Sequence, residues 1–131
     1  MWKIVIALAL IAHGLANLAG VFAPWTKGMS GFKDAPWLFS QGITLNSGAG
    51  RAFSLIWLAS SACLVAAGIG LFLGQSWWIP IAVAGALCSL AAIVPWWRAV
   101  VPGAYFGALF DAVVSVVLLS PLRLALLRVI S

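Results

Sequence analysis

Four long apolar runs, nearly free of charge, occupy most of this 131-residue chain. Each approaches the roughly 20 residues that a helix needs to cross about 30 Å of hydrocarbon. Hydrophobic residues make up 65% of the chain and charged residues only 7%. A water-soluble domain of this size cannot hide so much apolar surface. Lipid is therefore the expected solvent, and an integral membrane protein the expected class. The runs are continuous rather than alternating, which argues against the strands of a transmembrane barrel.

The expected fold is all-α: a single-domain bundle of four transmembrane helices. The spans read as about residues 2–23, 52–73, 77–97 and 104–120, with a loop at 24–51 and an amphipathic tail at 121–131. Pro24 and Trp25 close the first span, because proline stops a helix and tryptophan prefers the headgroup level. The start of the chain is read as a retained span, since Asn17 spoils the small-residue pattern of a signal-peptide cleavage site. The loop is rich in Gly, Ser and Pro and holds Lys27, Lys33 and Asp34. Asp34-Ala35-Pro36 has the form of an N-cap with proline in the first turn, so a short capping helix through Trp37, Leu38 and Phe39 is expected. Ser76 is the expected N-cap of span three. Pro121 ends span four, and Arg123 and Arg128 mark a basic tail lying on the membrane surface. Trp2, Trp77 and Trp78 would form a headgroup belt on one face, and Trp25, Trp96 and Trp97 a belt on the other.

Net charge is +5. The seven basic residues sit at span ends or in loops, where they read as headgroup contacts and topology signals. A nucleic-acid partner is not expected. Basic residues nearly balance across the two faces, and the compact Arg-containing tail tips the orientation toward cytoplasmic termini.

Polar groups inside the spans are the functional clues. His13 and Asn17 lie four residues apart and share a face of span one, as Asp111 and Ser115 do in span four. At about 1.5 Å per residue, Asn17 lies roughly 9 Å and Asp111 roughly 10 Å inside the Trp25 face, and His13 and Ser115 about 15–16 Å. The spans run antiparallel, so Asn17 is expected level with Asp111, and His13 with Ser115. A buried aspartate costs about 2.5–3.5 kcal/mol on insertion scales, which drives it toward the bundle interior and a partner, and near His13 it would form a carboxylate–imidazole pair. Together His13, Asn17, Asp111 and Ser115 form the expected ligand-binding or proton-exchanging site. Asn17 and Ser115 taken alone read more simply as interhelical hydrogen-bonding groups.

Other chemistry finds little support. Cys63 and Cys88 lie inside spans and form neither a disulfide framework nor a zinc site, so they read as small core residues. One histidine gives a monomer no bis-histidine haem site. There is no P-loop, no G-x-S-x-G and no H-E-x-x-H. No metal is expected, and no cofactor is identified.

Several segments together resemble a family. Ala12-His13-Gly14-Leu15-Ala16-Asn17-Leu18-Ala19-Gly20, followed by Ala23-Pro24-Trp25, resembles the first span of a group of small four-span bacterial membrane proteins. Arg51 leading into Leu55-Ile56-Trp57-Leu58-Ala59, and then Ala67-Gly68-Ile69-Gly70-Leu71, resembles their second span, and Trp77-Trp78 their third. The group is largely uncharacterised, with some members loosely labelled transporter permeases. In layout it is distantly similar to DoxX-like proteins, which are associated with quinone-linked redox complexes. The resemblance implies a multi-pass protein of the bacterial cytoplasmic membrane. The second polar residue of the span-one motif is often histidine in that group. This chain has Asn17 there, which weakens a metal or haem role.

The expected function is non-enzymatic: binding of a lipophilic small molecule or a membrane partner at the polar site. Proton-coupled transport is a variant that would need a homo-oligomer, because four short spans enclose little volume. One alternative is an enzyme or redox accessory acting on a quinone- or terpenoid-like substrate, with His13 transferring protons and Asp111 orienting it. Another is a structural subunit of a larger membrane complex, with the loop as docking surface.

Overall fold

In the computed structural model, residues 1–26, 31–100 and 102–130 are described. Lys27 and the loop stretch 27–30, and the last tail residue, lie outside them. The fold is all-α. Helix α1 runs Trp2–Phe22 and ends in a 3-10 turn at Ala23–Trp25; α2 is Gly48–Phe72, α3 Trp78–Ile93, α4 Gly103–Leu119 and α5 Leu122–Ile130. Packing follows chain order: α1 lies along α2, α2 along α3 and α3 along α4. Only a loose seam joins α4 back to α1.

Among the described residues, two helices are long and apolar enough to cross a membrane: α1 with its 3-10 extension, and α2. A third is reached only if α4 and α5, bent by 95° at Ser120 and Pro121, count as one broken span. Helix α3 is apolar but has 16 residues, short of the roughly 20 needed. The expected helix through residue 97 stops at Ile93: Val94 keeps helical angles, but Pro95 has no N–H to donate, and the chain tightens into turns in which Trp96 N–H bonds Ile93 O. The Pro95 carbonyl then accepts a hydrogen bond from Leu38 N–H at 2.9 Å, tying the loop to this end of the bundle.

The loop also departs from expectation. No helix forms at Trp37, Leu38 and Phe39; the chain doubles back, with an isolated bridge between Pro36 and Thr44. Trp37 N–H bonds Ile43 O at 2.9 Å and Leu45 N–H bonds Ala35 O at 3.3 Å. Asp34 caps no helix and instead accepts from Asn46 N–H at 2.9 Å, clasping the two ends of this hairpin. The true cap is Ser47, whose Oγ accepts from Gly50 N–H at 3.5 Å, so α2 begins a turn earlier than hydropathy suggests. Ser76 makes no cap for α3. The turn before it is a Schellman motif: Gly74, at φ +73°, donates to Leu71 O, and Gln75 donates to Gly70 O. Only glycine takes that left-handed position without strain.

Tryptophans divide into exposed and buried. Trp2, Trp25 and Trp77 are exposed, as interfacial rings are, and Arg51 stands 5.0 Å over the Trp25 ring. Trp96 and Trp78 are instead buried inside the protein. Trp96 packs against Trp37 and Phe53, because the hairpin folds over that end of the bundle and supplies it with aromatic neighbours. With Trp57, Leu45 and Ala23 it forms one of two core clusters. The other, around Leu10, Leu64, Leu71, Trp78 and Leu118, lies toward the amino terminus, where Leu126, Leu127 and Ile130 of α5 cover it. Glycines set the α1–α2 approach: a Cβ at Gly20 would enter the Trp57 ring, and one at Gly68 would come 2.7 Å from the carbonyl oxygen of Ala7.

Candidate functional site

His13 and Asp111 meet across the α1–α4 seam. His13 Nε2 lies 3.0 Å from Asp111 Oδ1, and the aspartate is fully buried while the His13 side chain keeps 13% of its exposure. With the carboxylate ionised, Nε2–H donates and Nδ1 is left to face other partners. The Phe110 ring lies 4.4 Å from the imidazole, tilted by 37°. Gly107 sits beside the pair and lets α3 pack closely: a Cβ there would come 2.9 Å from Ile93 Cδ1, while 3.6 Å would separate it from His13 Cε1, an ordinary contact. Asp111 Oδ2 and Ser115 Oγ are buried and find no hydrogen-bond partner among the described residues.

Asn17 goes elsewhere. The depth arithmetic set it level with Asp111, but it turns into the bundle and joins three helices. Its Nδ2 donates to Ser60 Oγ at 2.9 Å on α2 and to Ser89 Oγ at 3.2 Å on α3. Ser60 Oγ in turn donates to Gly85 O at 2.8 Å. A hydroxyl has one proton, so Ser60 can only accept from Asn17, which fixes which end of the amide faces it. The i, i+4 spacing carries two side chains to one face, yet 40° of rotation separates them, enough to send His13 toward α4 and Asn17 toward α2 and α3. His13 accordingly meets Asp111 rather than Ser115. The sequence marks Ser89 only as part of a small-residue face with Gly85, and does not single out Ser60, Gly107 or Phe110. The two serines carried a usable signal, as hydroxyls inside apolar runs; the pairing of Gly107 with His13 carried none.

A cavity of about 510 Å³ opens beside this pair, lined by His13, Asn17, Trp57, Phe106, Gly107 and Phe110 among others. It lies toward the Pro102 end of α4. On the other side of Phe110, in the same seam, is a second space of about 240 Å³ walled by apolar side chains including Ala9, Trp78, Val114 and Leu126. Asp111 does not line either cavity. It sits behind His13, which is the group presented to the space. Such a concave, largely apolar site with a few convergent polar groups has the form of a small-molecule pocket.

Cys63 and Cys88 are free and half-buried. A Cβ on Gly85 would come 3.0 Å from Cys63 Cβ, which places that thiol at the tight α2–α3 contact. Among the described residues no group of three or more His, Cys, Asp or Glu is placed to hold a metal ion.

The Asn17 network makes a clear prediction. Membrane-embedded side-chain hydrogen bonds contribute about 0.6 kcal/mol on average and up to roughly 1.7. Asn17→Leu, which keeps the branched shape but loses every hydrogen bond, should therefore lower stability by about 1–3 kcal/mol. Unfolding by SDS titration in mixed micelles measures it; a variant as stable as the parent would show that the three-helix network contributes nothing.

No family model matches this sequence, no curated protein is significantly similar to it, and no solved structure is significantly similar to its fold.

Proposed function

We propose that this helical membrane protein binds a lipophilic ligand, or a lipophilic segment of a membrane partner, in the α1–α4 seam, with His13 as the polar contact. The observation that carries the reading is the placement of the imidazole: it borders a cavity of about 510 Å³ while Asp111, buried behind it, holds its far nitrogen. A residue serving only as interhelical glue has no need of an adjoining space. In this reading α3 and the bent α4–α5 pair complete a four-span bundle in a bacterial cytoplasmic membrane, with cytoplasmic termini. The ligand reaches the site sideways from the lipid, because α1 and α4, the helices of the loose seam, both line each cavity.

A second reading uses the same pair as a proton-transfer dyad. Asp111 touching one nitrogen of a histidine whose other face meets a cavity is how an orienting carboxylate supports a general base. That reading suits an enzyme, a redox accessory or a proton-coupled transporter acting on a membrane-soluble substrate.

The test compares lipophiles retained through purification. Wild-type protein, extracted with organic solvent and analysed by mass spectrometry, should release a molecule near stoichiometry. His13→Ala, with its helix content intact by circular dichroism, should lose that molecule. Equal retention by both proteins would remove the seam from consideration.

A further inference from the structure

The polar atoms that face the larger cavity are specific about what they can receive. Both Asn17 N–H groups are taken by Ser60 and Ser89, and the Ser60-to-Gly85 bond locks the amide in that orientation. Asn17 lines the cavity, so its carbonyl Oδ1 is the polar atom it has left to offer there. It can only accept. His13 lies one turn away on α1 and is tied through Nε2 to Asp111, leaving Nδ1. While the carboxylate is ionised and the imidazole neutral, Nδ1 is also an acceptor. Trp57 borders the same space, and its indole carries a donor and no acceptor. The remaining lining is apolar or small, with Phe32, Phe106 and Phe110 contributing rings.

From this set we infer that the ligand of the proposed site is a hydroxyl-bearing lipophile: a membrane-soluble alcohol held by its O–H. The inference rests on the binding reading above and specifies its chemistry. A hydroxyl donates one hydrogen bond, to Asn17 Oδ1 or His13 Nδ1, and has lone pairs left for an indole N–H. A ketone, an ester or an ether carries acceptors only. Placed here it would face two acceptors and leave them without partners, a cost that grows in a dry, low-dielectric site. A carboxylate would add charge beside Asp111, which already has an oxygen without a partner. The hydrocarbon part of the alcohol follows the seam past Phe110 into the all-apolar space of about 240 Å³. At about 30 Å³ per water-sized group, that space takes roughly eight chain atoms. Transfer free energy does not drive the tail there, because lipid is equally apolar. Recognition therefore falls on the head.

The experiment uses the full chain in phosphatidylcholine nanodiscs and three probes of matched length: 1-dodecanol, 2-dodecanone and methyl undecyl ether. The readouts are thermal unfolding midpoint and tryptophan fluorescence, each against probe mole fraction in the bilayer. A second protein, Ala16→Phe, places a ring in the cavity from an exposed α1 position that borders it. The alcohol should act at a mole fraction about tenfold or more below the ketone and the ether, and Ala16→Phe should abolish its effect. Equal potency of all three probes, still blocked by Ala16→Phe, would overturn the hydroxyl preference and leave seam binding intact. An absence of any shift, or shifts that Ala16→Phe does not alter, would overturn the binding reading itself.

Discussion

His13→Leu is expected to destabilise the protein by about 3 kcal/mol or more, whereas Asp111→Leu should cost less than about 1 kcal/mol. The two residues make the same 3.0 Å contact, so the asymmetry comes from what each deletion leaves behind. Removing the histidine strands a fully buried aspartate with neither oxygen bonded, since Oδ2 already has no partner. Proton uptake would relieve its charge but leave a hydroxyl still without an acceptor. Removing the aspartate leaves an imidazole that is still partly exposed to a cavity, where water or ligand can meet its nitrogens. A leucine in place of Asp111 also fits the apolar surroundings, and apolar replacement of a buried ionic group is commonly neutral or stabilising. The double variant should recover most of the His13→Leu loss, because no buried carboxylate remains. SDS-titration unfolding of the four proteins gives the whole cycle. Equal costs for the two single changes would mean that burial of Asp111 is far less complete than its surroundings indicate.

The second large effect belongs to Gly68. A Cβ there would lie 2.7 Å from the carbonyl oxygen of Ala7 and 2.5 Å from Ile11 Cγ1. The obstacle is the backbone of α1, which cannot rotate away as a side chain can. Overpacking typically costs about 1–3 kcal/mol, and occasionally more. Gly68→Leu should reach about 3 kcal/mol, because α1 must move off α2 as a body. Gly48→Ala, where a Cβ meets nothing within 4 Å, serves as the control and should be neutral. The shift should also reach the site: α1 carries His13, so displacing it lengthens the contact to Asp111 and weakens probe binding in nanodiscs. A Gly68→Leu protein with unchanged unfolding would show that the α1–α2 contact is loose enough to absorb a side chain.

Much of the helical framework was legible in the residues. The limits of α1 and α4 fall within a residue or two of the expected spans, and Pro121 marks the bend before α5. These features depend on composition over a helix length and on proline, both local properties. Where local signals competed, the reading failed. Asp34 and Pro36 have the spacing of a helix start, yet the hairpin bonds between Trp37 and Ile43 and between Ala35 and Leu45 took those groups instead. The Trp96 ring has the sequence position of an interfacial anchor, yet the folded loop covers it. The site was legible by residue type and half legible by partner: the Asp111 carboxylate meets the His13 imidazole, as the cost of burying it favours, while Asn17 and Ser115 do not join them. His13 and Asp111 stood out because ionisable groups are costly in hydrocarbon. Depth along a helix axis then gave the wrong register, since it ignores rotation about that axis.

Hydropathy, helix length and helix-breaking residues are carried by each segment on its own, so the linear chain sufficed to specify helices that belong in lipid and the scarcity of polar groups within them. Which of those groups touch is a property of two helices at once. It depends on azimuth, on how closely Gly14, Gly20 and Gly68 let α1 approach α2, and on the gap this leaves against α4. Only the packed structure could send Asn17 to Ser60 and Ser89, bring His13 onto Asp111, and open a cavity beside the imidazole.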